Sequence, residues 1–231
     1  ERTPPPRPDL FHAQRRELLA ACRIFLAGEE DFCRSSTPVY LESAVGMPSE
    51  ANDYALGARE PVPLALPGGA ETTARGRIDR IDRVGEETEQ LYDVWDYKTG
   101  SPSRYESGTF NEGRLVQHAL YLALARKCLR ERISPKANVR QFGYFFASEK
   151  GEGRRITFTP EDLAGGLEII DGLRRVAEAG SFSATTSKKD CRYCDFATIC
   201  RDPEAVAEQS RRKMENDRNE ILEPYRELRN K

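Results

Sequence analysis

Residues 114–131 (RLVQHALYLALARKCLRE) are apolar on most sides of a helix, so this chain must bury a helix nearly all round. The segments on either side read as strands. Upstream lie Glu60–Leu66, Thr72–Val84 and Gln90–Lys98, with turns at Pro67-Gly68-Gly69 and around Gly85-Glu86-Glu87. Downstream, Val139–Ser148 and Arg154–Phe158 flank a turn at Gly151–Gly153. A further helix is expected over residues 10–33, where Leu18, Leu19, Cys22, Phe25 and Leu26 recur at helical spacing. Residues 43–59 look irregular. Thr159-Pro160-Glu161-Asp162 reads as a helix opening, with a Thr cap, an early Pro and acids near the positive end, for a helix running to about Ala179. The order helix, strands, helix, strands, helix predicts an α/β domain with a mixed central sheet flanked by helices, not a bundle or a sandwich.

A chain of 231 residues supports one substantial core, or one core and a small appendage. The expected division is a proline-rich, extended lead-in over 1–9, a main domain over 10–202 and a charged helical tail over 203–231. No apolar run approaches the roughly 20 residues needed to cross a bilayer, so no membrane partner is expected. The chain opens on Glu1 without a visible signal peptide, as expected of a fragment, a processed form or a trimmed form. Basic residues number 36 against 38 acidic ones, so whole-chain charge does not announce a nucleic-acid binder. Local clusters could still contact phosphate, because salt confines charge effects to about 8–10 Å. They are Arg154-Arg155, Arg174-Arg175, Lys188-Lys189 with Arg192, and Arg211-Arg212-Lys213; a solvated face explains each equally well.

Asp96-Tyr97-Lys98 ends an apolar strand (LYDVWDYKTG). Strands alternate faces, so Asp96 and Lys98 point one way while Trp95 and Tyr97 point the other. A carboxylate can hold a divalent cation while the neighbouring ammonium orients or activates water. Magnesium takes hard oxygen ligands and often one or two carboxylates. The preceding strand (GRIDRID) offers Asp79 or Asp82, of which a regular strand can turn only one toward the site. If the loop at 85–89 returns the chain antiparallel, Asp79 and Asp96 meet across the pair. Gln117 and Tyr121 are four apart and share one face of the buried helix, poised toward phosphate or the lysine. His118 is turned away from Gln117 and reads as structural, as does Cys128.

GRIDRID, DYKTG and QHALY, in that order, resemble the three motifs of the PD-(D/E)XK nuclease superfamily, and most closely its RecB/AddB-type nuclease domains. The resemblance implies a restriction-endonuclease-like fold and hydrolysis of DNA phosphodiester bonds. It implies Mg2+ or Mn2+ on Asp79 and Asp96, with the Tyr97 carbonyl as a further ligand. Lys98 would assist the water nucleophile, and Gln117 and Tyr121 would complete the site. An exonuclease acting on single-stranded DNA or duplex ends in recombination and repair is the expected activity, with a helicase subunit or domain as a candidate partner. His12 and Glu42 are available as a further metal ligand on an earlier element, but their surroundings match no motif.

Cysteines occupy positions 22, 33, 128, 191, 194 and 200. Without a secretion signal, ligation is favoured over disulfides and the expected compartment is the reducing cytoplasm. Cys191, Cys194 and Cys200 place three thiolates in a short turn, whereas a tetrahedral metal or iron–sulfur cluster takes four. Three local ligands with one distant partner favour [4Fe–4S] over zinc. The triad is also similar to that of AddB-type nucleases, whose fourth cysteine precedes the nuclease motifs. Cys22, Cys33 or a residue upstream of Glu1 could serve; in the last case the cluster would be incomplete in this chain. Two other readings stand beside the nuclease: a catalytically decayed iron–sulfur DNA-binding module, and a zinc-stapled interaction domain.

Overall fold

A computed structural model describes residues 7–48, 56–57, 59–106 and 108–229, with the Tyr193 side chain excepted. Helix α1 (Pro8–Phe32) leads into strand β1 (Ser36–Val45), then into a hairpin of β2 (Val62–Ala65) and β3 (Glu71–Ala74). Strands β4 (Gly76–Val84) and β5 (Leu91–Tyr97) follow, then a short helix α2 (Ser103–Glu106) and the long helix α3 (Gln117–Arg132). Strands β6 (Asn138–Phe145) and β7 (Arg155–Phe158) precede helix α4 (Gly166–Glu178), a one-turn helix α5 (Ala197–Cys200), α6 (Pro203–Glu215) and α7 (Glu223–Arg229).

The main sheet has five strands in the order β1-β4-β5-β6-β7. Only β5 and β6 run parallel, and α3 supplies the crossover that a parallel pair requires. The sheet is therefore mixed, with helices on both faces, as the order of segments implied.

Alternation along the strands sorts the side chains. On one face the His118 ring of α3 packs within 4.8 Å of Phe158 and 6.2 Å of Phe142, above a core that includes Ile81, Val94, Leu124 and Leu129. On the other, Phe25 of α1 meets Tyr97 and Phe145 at 5.7 and 5.8 Å, and Phe32 stands edge-on to Trp95 at 5.0 Å. Helix α3 buries His118, Ala119, Leu122, Leu124, Ala125, Cys128 and Leu129, whereas no residue of α1 is fully buried. Helix α7 sets Leu228 against Ile169 and Val176 of α4. Among the described residues no helix is long and apolar enough to cross a membrane.

Four segments differ from expectation. Residues 36–45 form a strand that composition hides, because Pro38 and several polar residues interrupt it. As an edge strand with a bulge at Pro38–Tyr40, it can spare a proline's missing donor. Thr72–Val84 is two strands, because the chain leaves the hairpin for the main sheet at Arg75. Thr159 and Asp162 do exchange capping hydrogen bonds, but they close only a turn. The helix starts only at Gly166, with Gly165 as its cap; a glycine inside a helix costs about 1 kcal/mol against alanine. Pro8 and Asp9 belong to α1, where proline's missing N–H is harmless in the first turn; lead-in residues 1–6 lie outside the described residues.

His118 is 1% exposed, and its Nε2 lies 2.9 Å from the Thr109 carbonyl. Burial depresses its pKa to about 4, so the folded state holds the ring neutral where an unfolded chain would begin to protonate it. Stability from this group is complete above about pH 6.5 and drains away as pH falls toward 4. The expected loss is up to roughly 3 kcal/mol. Urea titrations from pH 7 to pH 4 should show this slope, and His118→Gln should flatten it.

Candidate active site

Residue pairing between β4 and β5 runs from Val84 opposite Leu91 to Arg80 opposite Trp95. One step further along the same register, Asp79 faces Asp96. The backbone ladder gives out at this step, and the Tyr97 amide N–H donates to Asp79 Oδ2 at 2.8 Å. Asp79 lies close enough to Asp96 for its charge to raise the Asp96 pKa.

Lys98, two positions beyond Asp96, returns to the same face and ion-pairs with Asp96 Oδ2. Gln117, the first residue of α3, bridges the two. Its Nε2 donates to Asp96 Oδ1 at 2.7 Å and its Oε1 accepts from Lys98 Nζ at 3.0 Å. The Lys98 ammonium also sits 5.4 Å from the centre of the Tyr144 ring. Tyr121, one turn along α3, lies against Gly76, where any Cβ would come within 2.8 Å of its ring. Glycine at that position is what admits the tyrosine.

Asp96 is 3% exposed. Burial raises its pKa, while the Lys98 ammonium and the Gln117 amide pull it down and Asp79 pushes it up. Oδ1 accepts from the Gln117 amide, and Oδ2, also buried, is held in an ion pair with the Lys98 ammonium. A buried carboxylate is expensive unless a cation stands beside it, and here the lysine supplies that charge. The donor set is hard oxygen from two carboxylates, which suits magnesium or manganese, ions that complete their shell with water and phosphate. Among the described residues, no three His, Cys, Asp or Glu side chains gather into a metal-holding group. The centre is an acid pair, not a closed cage.

Asp82 stands apart from this group. It is fully buried on the opposite face and bound by Arg80, so of the two acids in GRIDRID only Asp79 faces Lys98. The Tyr97 side chain also lies on that opposite face, its hydroxyl 3.1 Å from Arg80 Nη1. His12 is exposed on α1 beside Phe11. Glu42 falls opposite Asp79 in the β1–β4 register, with φ at +50°, but its carboxylate lies 4.0 Å from Arg77 and is largely exposed.

The cysteine turn is not assembled as a ligand set. Cys194 and Cys200 are exposed and Cys191 is half-buried; burial, then the two neighbouring thiols, push the Cys191 pKa up. Of the two candidate fourth ligands within the chain, Cys22 is exposed on α1 and the Cys33 thiol donates to Glu29 at 3.2 Å, and neither joins a metal-holding group among the described residues. These residues, as arranged, do not fit a four-thiolate cluster.

The basic clusters are largely ion-paired, on the surface except for Arg155, whose partner Glu29 lies mostly out of solvent. Arg154 pairs with Glu106, Arg155 with Glu29, Arg174 with Asp171, Arg175 with Glu227, Lys188 with Glu204, and Arg211 and Arg212 with Glu208. A cavity of about 450 Å³ between α3 and the start of α4 lies away from the acids. Another, of about 430 Å³, opens between α1 residues Gln14 and Leu18, Thr99 directly after Lys98 in the chain, and Ser148 after β6.

Comparison with curated proteins gives no match. The family model of the PD-(D/E)XK nuclease superfamily matches residues 2–201, spanning the whole sheet and the acid–lysine group. A five-stranded mixed sheet flanked by helices agrees with that assignment. This chain belongs to the PD-(D/E)XK nuclease superfamily.

Proposed function

We infer that the chain is a divalent-metal-dependent deoxyribonuclease that hydrolyses phosphodiester bonds at DNA ends or in single strands, in the manner of RecB/AddB-type domains. The observation that carries this reading is the closed arrangement of Asp96, Lys98 and Gln117 opposite Asp79. A structural ion pair has no need of a second acid across the ladder.

Asp79 and Asp96, with the Tyr97 carbonyl, would hold Mg2+ or Mn2+, which when bound neutralises charge on the scissile phosphate and the leaving oxygen. The chain's own groups do the rest. The Lys98 ammonium, 24% exposed, can reach a water or a phosphate oxygen from beside Asp96. Gln117 fixes the lysine and the carboxylate relative to one another. Tyr121 offers a hydroxyl from the same helix face.

The finer parts of the proposal are a role in recombination or repair, a cytoplasmic setting and a helicase partner. The first and last rest on likeness to RecB/AddB-type domains alone, and the cytoplasmic setting on reading the cysteines as ligands rather than disulfides. A [4Fe–4S] cluster on Cys191, Cys194 and Cys200 would need the turn to close and a distant thiolate to join it. Visible absorbance of anaerobically purified protein tests this: a brown protein supports the cluster, and a colourless one holding stoichiometric zinc supports a zinc staple.

End-labelled single-stranded DNA should be cut in Mg2+ or Mn2+ and left intact in EDTA. Asp79→Ala should abolish both cleavage and Mn2+ binding measured by calorimetry. A well-folded wild type that binds DNA but neither binds Mn2+ nor cuts would favour the decayed binding module.

A further inference from the structure

Behind the sheet, on the face away from the acid pair, lies a buried ionic network. Arg80 of β4, its side chain 4% exposed, grips both oxygens of Asp82 through Nε and Nη2 at 2.5 and 2.8 Å. Its Nη1 reaches Glu29 of α1 at 2.5 Å and the Tyr97 hydroxyl of β5 at 3.1 Å. The other Glu29 oxygen accepts from Arg155 Nη2 of β7 at 2.6 Å. That guanidinium lies 4.0 Å from the centre of the Phe145 ring and 4.3 Å from that of Phe32. Two arginines and two carboxylates balance one another, drawn from α1, β4 and β7.

The placement of this network is specific. Arg80 follows Asp79 in the chain, and Tyr97 separates Asp96 from Lys98. Alternation puts Asp79, Asp96 and Lys98 on the front and Arg80 and Tyr97 on the back. The backbone ladder between β4 and β5 ends at Arg80 and Trp95, so no further rung sets the strand spacing at the acid pair. Two side-chain links stand there instead: Asp79 to the Tyr97 amide in front, and Arg80 to the Tyr97 hydroxyl behind.

We propose that Arg80 and Tyr97 are positioning residues, whose contact behind the sheet fixes the separation of Asp79 and Asp96 where the ladder no longer does. Neither side chain touches the reacting groups. Glu29 and Asp82 hold Arg80 in place, so the docking of α1 is joined to the geometry of the acids. The inference rests on the nuclease reading for its purpose, but not for its geometry.

Tyr97→Phe is the decisive variant, because it removes only the hydroxyl and keeps the ring against Phe25 and Phe145. Amide exchange at residue 97 should speed up about tenfold while exchange at Phe142, in the neighbouring strand, stays unchanged. Mn2+ affinity, measured by calorimetry without DNA, should weaken about tenfold, the usual scale for losing support behind a metal ligand. Unchanged exchange at residue 97 overturns the proposal. So does a uniform acceleration across all strands, which would mark a merely structural hydroxyl. A wild type that binds no Mn2+ and cuts no DNA would instead overturn the nuclease reading, and the exchange comparison would still decide the positioning role.

Discussion

Lys98→Met should lower the rate of DNA cleavage by about three orders of magnitude while the protein stays folded. Methionine keeps the length and apolar stem of the lysine but removes the ammonium, and with it the charge over the Tyr144 ring and the hydrogen bond to Gln117 Oε1. Asp96 then loses the ammonium beside Oδ2 and keeps the Gln117 amide on Oδ1. Its pKa, already raised by burial, climbs further, and the carboxyl can take a proton instead of remaining a buried, unpaired charge. That escape is why folding survives. Activity does not, because a protonated Asp96 is a poor metal ligand and the group that would orient water is gone. Single-turnover cleavage in Mn2+, with circular dichroism as the control for folding, checks the prediction. Gln117→Ala should fall between wild type and Lys98→Met, since both partners remain but drift. Wild-type rates in Lys98→Met would remove this lysine from the chemistry.

Arg80→Met should destabilise the protein by about 3–5 kcal/mol, the usual cost of removing one partner from a buried ion pair. The substitution strands Asp82, which is fully buried, and leaves Glu29 with Arg155 and the Cys33 thiol. For a chain of this size each kcal/mol shifts the melting temperature by roughly 2–4 °C, so a drop of about 10 °C is expected. Differential scanning calorimetry measures it directly. Arg80→Lys should recover part of the loss, because an ammonium restores the charge but cannot span both Asp82 oxygens. Pairing Arg80→Met with Asp82→Leu should recover more, since it removes the orphaned charge along with its partner. A melting temperature for Arg80→Met within 2 °C of wild type would mean that water or another cation satisfies Asp82.

Both predictions concern β4 and β5, and these strands show how unevenly the sequence reveals its structure. Asp96 and Lys98 were legible as a pair because a two-residue period admits only two faces, and the lysine must share one with Asp96; the period left Asp79 and Asp82 as alternatives. Gln117 was legible because the helix that carries it is apolar nearly all round, so a polar residue there needs a partner. Arg80 and Asp82 were not. In GRIDRID they read as spacers around an aspartate, and no local pattern says that α1 and β7 will bring Glu29 and Arg155 against them. The edge strand β1 was hidden for a related reason: pairing to β4 on one side only lets it tolerate Pro38 and polar residues that would disqualify a central strand.

Taken alone, the sequence determined the layer architecture, the strands that carry the acids and lysine, and the helix that supplies the glutamine. These follow from periodicities of 2 and 3.6, which are local properties of a chain. Tertiary structure alone decided that GRIDRID turns Asp79 to the front and commits Asp82 to Arg80. It also decided that Cys194 and Cys200 stand exposed beside a half-buried Cys191, and that most basic clusters are already ion-paired. Contacts between segments distant in the chain depend on how the layers meet, and local periodicity carries no record of that.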